Sequence, residues 1–148
     1  FPLSDQVAQN AGLVLAFEFG ASSPITESAV IEPTGLGQGA AFGTSVALSN
    51  QILAVGAPGA GTDGAVLLYD MGPTLETWNL AGSLTIPDLP PVGACFGGTA
   101  LALDRVTLAV GCPSFNGYEN EGTFVYVGAI FTDGFESGDT TAWSSTSP

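Results

Sequence analysis

The stretch that decides the fold is FGTSVALSNQILAVGAP, residues 42–58, together with GAVLLYD at residues 64–70. It returns in the same order as FGGTALALDRVTLAVGCP at residues 96–113 and GTFVYV at residues 122–127. Phe42-Gly43 matches Phe96-Gly97, Val55-Gly56-Ala57-Pro58 matches Val110-Gly111-Cys112-Pro113, and Tyr69 matches Tyr126. Chance is a poor source of three landmarks in one order. The chain therefore carries an internal repeat, and repeats of this length are stacked supersecondary units.

Each copy parses the same way. A strand follows Phe-Gly, and a tight turn at Ser49-Asn50 or Asp104-Arg105 reverses it. A second strand ends at the Gly-x-Pro corner, and a Gly-rich loop leads to a third strand ending near the tyrosine. Ile52, Leu53, Ala54 and Val55 are apolar on both parities, so this strand is expected to be covered on both faces. In the first copy a fourth strand follows. Trp78, Leu80, Leu84 and Ile86 share one parity and Asn79, Ala81, Ser83 and Thr85 the other, which predicts one buried and one wet face. Upstream, Leu13, Leu15, Phe17 and Phe19 alternate with Val14, Ala16 and Glu18, so residues 12–20 read as a strand. Residues 21–40 form a polar connector containing Gly and Pro, with a short strand at 29–31 as its one suggested element.

Composition narrows the function. The chain has 148 residues, 45% of them apolar, and only 10% are charged, against about a quarter in ordinary domains. A mean hydropathy of +0.39 describes a surface that is easily desolvated against neighbouring copies. Fourteen acidic residues face one cation, Arg105, and there is no Lys and no His, for a net charge of −13. Nucleic-acid binding, which needs clustered Lys or Arg, is excluded. Without His or Lys, imidazole-based triads, Schiff bases and phosphate loops are excluded as well. A carboxylate pair for glycoside hydrolysis survives this filter. Any two of the fourteen acids fit it equally well, so no catalytic residue is assigned and no enzyme is expected. No apolar run reaches the roughly 20 residues that span a bilayer. The chain opens on Phe1 rather than Met and has two cysteines, from which a mature, exported protein of an oxidising compartment is expected.

The order Phe-Gly, Val-Gly-Ala-Pro, Gly-Ala-Val-x-x-Tyr and then a Trp strand resembles the FG-GAP repeat. That repeat forms the blades of integrin-α-type seven-bladed propellers and of many secreted bacterial proteins. The resemblance covers about residues 38–128, and the second copy departs from it by carrying Cys112 where the motif has Ala. The segment IFTDGFESGDTTAWSSTSP, residues 130–148, resembles a tail of secreted bacterial proteins. It is read either as a sorting or display element or, through Trp143, as the last strand of the second blade. Blades of this family often hold calcium in an Asp-x-Asp-x-Asp-Gly loop. The corresponding GAGTDG at residues 59–64 lacks the pattern, and SFNGYENEG at residues 114–122 has a degenerate form. No cofactor is therefore expected. Asn116, Glu119 and Glu121, and in the tail Asp133, Glu136 and Asp139, are the residues nearest to a calcium ligand set.

Cys95 precedes Phe-Gly and Cys112 sits in the Gly-x-Pro corner, at the ends of neighbouring strands. A structural disulfide is the expectation there, contributing about 3 kcal/mol through the unfolded state; two buried thiols are the alternative. Among the aromatics, Phe115 and Tyr118, in the loop at residues 114–122, are the candidates for stacking on a sugar.

The expected architecture is all-β: two four-stranded antiparallel blade-like sheets plus an N-terminal strand. It divides as residues 1–37 (strand and connector), 38–90, 91–130 and a tail at 131–148. Two blades cannot close a ring, which takes about four to eight. The expected function is a structural subunit of a secreted or cell-surface assembly, bacterial in origin, whose partners are copies of itself. Leu13, Leu15, Phe17 and Phe19 would form the exchanged strand. The alternative is an extracellular adhesion or binding module for a glycan or protein, assisted by calcium, and a section of a longer propeller is a third reading.

Overall fold

A computed structural model of the chain describes residues 10–20, 24–85, 96, 100–105, 107–115 and 120–127. Nine strands lie among them: β1 (Val14–Glu18), β2 (Thr26–Ile31), β3 (Ser45–Ser49), β4 (Ile52–Ala57), β5 (Ala65–Met71), β6 (Trp78–Leu84), β7 (Leu101–Asp104), β8 (Thr107–Phe115) and β9 (Asn120–Val127). Every pairing between them is antiparallel. They form three sheets ordered β1-β2, β3-β4-β5-β6 and β7-β8-β9. The all-β, blade-like reading of the sequence is what the chain adopts.

The sheets stack, with two cores between them. Ile31, Phe42, Leu53, Val55, Leu67 and Tyr69 fill the first, between the β1–β2 sheet and the central sheet. Ala54, Val66, Leu68, Phe96, Leu108 and Val110 fill the second, between the central and third sheets. Alternation along β4 and β5 sends successive side chains to opposite cores, and both strands are buried throughout most of their length. The innermost strands carry the hairpin turns expected from sequence. Asn50 and Arg105 sit at equivalent corners in the left-handed region, with φ of 54° and 50°. The Arg105 N–H donates to Ser49 Oγ at 3.0 Å, tying one corner to the next.

What joins sheet to sheet is a repeated backbone contact. The Phe42 N–H donates to Ala11 O at 2.7 Å, and the Phe96 N–H donates to Asp63 O at 3.1 Å. These bonds form parallel bridges, Gly12 to Phe42 and Gly64 to Phe96. Both glycines have a positive φ, +85° and +90°, and a Cβ at Gly64 would lie 2.6 Å from the Phe96 carbonyl oxygen. Only glycine tolerates that backbone at that approach. Each anchored phenylalanine is buried and meets the tyrosine of its own repeat edge-on: Phe42 and Tyr69 at 6.0 Å between ring centroids, Phe96 and Tyr126 at 6.2 Å.

Two local expectations need correcting. The N-terminal strand is not isolated, because the connector supplies β2, which pairs with it from Val14↔Ile31 to Glu18↔Thr26. Residues 26–31 read TESAVI, and an outer strand with a solvated face need not advertise itself by apolar alternation. The register shifts between Ala16 and Phe17, and Ser28, left unpaired there, donates its hydroxyl to Ala16 O at 3.1 Å. The second correction concerns β6. Leu68 pairs with Gly82 and Tyr69 with Leu80, so Ala81 is the extra residue of a bulge. Trp78 therefore packs on the first core and Leu84 on the second, instead of sharing one buried face, and Leu80 is exposed. In the third sheet the described strands number three; residues 131–148, one reading of which makes them its fourth strand, lie outside the described residues.

Two outcomes are expected from this arrangement. Gly64→Ala should cost about 2 kcal/mol or more in urea denaturation, combining left-handed strain with the clash at Phe96. Gly37→Ala, where an added Cβ meets nothing within 4 Å, should stay within about 0.5 kcal/mol. Burial also raises the pKa of Tyr69, and of Tyr126, above the ordinary 10.0. A phenol whose folded pKa is raised gives stability that is present below its unfolded pKa and lost as pH rises through the folded one. The urea midpoint should thus fall above pH 10.0, and Tyr69→Phe should reduce that fall.

Candidate functional site

The β1–β2 sheet is half of a repeat. Gly12-Leu-Val-Leu-Ala-Phe-Glu-Phe-Gly20 lies on Gly64-Ala-Val-Leu-Leu-Tyr-Asp-Met-Gly72, glycines at both ends, and Gly12 makes the same parallel bridge as Gly64. On this correspondence Leu15 and Phe17 stand where Leu67 and Tyr69 stand one repeat later. Their surroundings differ. Leu67 and Tyr69 are 2% and 3% exposed, whereas Leu15 and Phe17 are 41% and 53% exposed. The opposite end of the stack repeats the contrast: Leu68 is 6% exposed and its counterpart Val125 is 59% exposed. Val30 beside Leu15, and Val127 beside Val125, extend the two apolar end faces.

Strand edges match these faces. β5 has β4 on one side and β6 on the other, while its counterpart β1 has only β2 among the described residues. On the central sheet, Val46 and Leu48 of β3 are exposed, on the parity opposite to Ala47, which packs into the second core. Among the described residues the half sheet has no counterparts of β3 and β4, and the apolar face of Leu15, Phe17 and Val30 is exposed.

A second feature lies at the outer rim, between β2 and the β5–β6 ribbon. A cavity of about 310 Å³ is lined there by Tyr69 and Trp78, with Glu32, Thr34, Glu76 and Thr77 around it. The Tyr69 hydroxyl and the Trp78 indole N–H are buried and have no hydrogen-bond partner among the described residues. Burial keeps the Tyr69 phenol protonated by raising its pKa. Glu32, Thr34, Glu76 and Thr77 are exposed, and the Thr77 hydroxyl shares a 3.0 Å hydrogen bond with Thr74.

The residues singled out from sequence separate in space. Leu15 and Phe17 lie on β1 facing outward, Phe19 is exposed beyond its end, and Leu13 is half-buried before its start. Cys112 is buried on β8, and Cys95 falls outside the described residues. Asn116, Glu119, Asp133, Glu136 and Asp139, with Tyr118, also lie outside them, as do the side chains of Phe115 and Glu121. Among the described residues no group of three or more His, Cys, Asp or Glu could hold a metal ion. Sequence reasoning placed Trp78 in the core and overlooked the cleft, which lies between the β5–β6 ribbon and β2, a strand expected only over its last three residues, 29–31. The half repeat was findable, since its two bounding glycines and the apolar pattern between them return at residues 64–72.

Among the described residues no helix is long and apolar enough to cross a membrane, which leaves strand-built spans untouched. No curated protein and no solved structure matches the chain. Residues 25–69 match the FG-GAP repeat family, a module of extracellular and cell-surface adhesion-type propellers, and that match runs from the threshold of β2 through the Tyr69 position of β5.

Proposed function

We propose that the chain is a stacking module of a secreted or cell-surface assembly, in which copies of the chain cover its end faces. The observation that carries this reading is the contrast between Leu67 and Tyr69, buried inside the stack, and Leu15 and Phe17, bare at its end. Fully covering side chains of this size contributes roughly 1.5–3 kcal/mol each. The open edge of β1 adds backbone hydrogen bonds to that gain by taking an extra strand. With a net charge of −13, copies repel at long range, so association strengthens as salt screens them. The second copy of the sequence pattern is read as a further FG-GAP blade, because Phe96 and Tyr126 repeat the geometry of Phe42 and Tyr69. The tail at 131–148 is assigned to that blade's missing strand, or to sorting in a bacterial secretion route. Cys112 with Cys95 is assigned to a disulfide, for which the burial of Cys112 speaks.

Sedimentation velocity on the 148-residue chain tests the assembly. The expected result is a species well above 14.8 kDa that persists in EDTA and grows with salt. Phe17→Glu, on an exposed face, should return it toward the monomer without changing the far-ultraviolet β-signal. A monomer at all concentrations and salts overturns the reading. Alkylation of the unfolded, unreduced chain checks the cysteines: no label is expected, and two labelled thiols exclude the disulfide.

A further inference from the structure

The two end faces of the stack are the complementary halves of one junction. The β1–β2 ribbon repeats β5–β6 pair by pair. Leu15 pairs with Val30 as Leu67 does with Ser83, and Phe17 pairs with Glu27 as Tyr69 does with Leu80. The bulge recurs as well, between Ala16 and Phe17 in one ribbon and between Leu68 and Tyr69 in the other. At the opposite end β8–β9 repeats β4–β5, with Ala109 paired to Val125 as Ala54 is to Leu68. Each end sheet can therefore be laid on the central sheet strand for strand. Its exposed face is then read from what the same face of the central sheet touches.

The two ends give different readings. The central-sheet face that bears Leu67 and Tyr69 packs on the preceding sheet, in the first core. The face that bears Ala54, Val66 and Leu68 packs on the following sheet, in the second. Leu15 and Phe17 belong to a face of the first kind, whereas Val125, Ala109 and the exposed Ala102 beside it belong to a face of the second. Both junctions inside the chain join a face of the second kind to a face of the first.

We propose that copies of the chain associate head to tail, the Val125 face of one copy seating on the Leu15 and Phe17 face of the next, in the relation that the central sheet bears to the third. This rests on the reading that copies cover the end faces, and adds which face covers which. A two-fold pair needs a patch complementary to itself. Here it would lay one bulged ribbon on another and set Glu27, which shares the face of its partner Phe17, against its own copy. Head to tail, Glu27 meets a face whose corner carries Asp104 and Arg105, the one cation of the chain. Such a contact leaves one free face of each kind, so it propagates until it closes a ring or continues as a filament.

The test is a mixing experiment by sedimentation velocity with two variants. Phe17→Glu spoils one face and Val125→Glu the other; both residues are exposed, and circular dichroism checks that each variant keeps the wild-type strand signal. The wild-type chain is expected to grow past a dimer as concentration rises. Each variant alone should be monomeric, and an equal mixture should form one-to-one pairs and nothing larger, because each supplies the face the other lacks. Dimers of either variant alone mean that like faces pair, which overturns the head-to-tail inference and leaves the assembly reading standing. A mixture that stays monomeric beside a wild type that assembles does the same. A wild type that is monomeric at every concentration and salt overturns both. If a glutamate variant loses the strand signal, Phe17→Ser and Val125→Ser take its place with the same expected pattern.

Discussion

One backbone contact organises this molecule. The phenylalanine that opens each repeat donates its N–H to the carbonyl just before a left-handed glycine of the preceding sheet, and its ring drops into the core between the two sheets. The bond sets the spacing of neighbouring sheets, and the ring, packed edge-on against a tyrosine, sets how they face one another. Because the contact recurs, the stack is made by one rule applied twice. Among the described residues no sheet precedes the half sheet at the N-terminal side. This is why Leu15 and Phe17 are bare at positions that one repeat later are core.

Apolar surface at a chain with so few charges is the other constraint. Interior positions of the central sheet are satisfied on both faces, while each outer sheet is satisfied on one. Hydrophobic burial scales with area removed from water, so the end faces retain a driving force that the chain does not use internally. Assembly, in this view, is the continuation of folding across a chain boundary. The rim cleft shares Val30 with the N-terminal end face, and beside it the buried Tyr69 hydroxyl and Trp78 indole N–H have no partner among the described residues.

Much of this was legible in the residues, and the reasons for the rest are physical. Strand type, turn positions and the burial of Ile52 to Val55 on both faces followed from periodicity and from turn residues such as Asn50. The Phe-Gly and Tyr landmarks marked the two cores before any geometry was known. β2 was barely legible, because an outer strand written TESAVI gains its place from pairing with β1 rather than from its own pattern. The β6 bulge was illegible, since a slipped register leaves no trace in composition and inverts the parity of everything after Leu80. The cleft lies between β2 and the β5–β6 ribbon, so Tyr69 and Trp78 read as core residues when taken from sequence alone.

The family match begins just before β2 and ends inside β5, so the matched stretch is out of phase with the sheets that stack in space. That stretch therefore completes the sheet before it and begins the sheet after it, as an overlapping roof tile does. Tandem duplication of such a unit lengthens the stack without creating a new kind of junction, because every added copy brings the same overlap. It also denies any one copy an independent existence, since a unit cut out at its own boundaries carries two incomplete sheets. Change in repeat number is thus structurally cheap, whereas transplantation of a lone repeat into another protein is not.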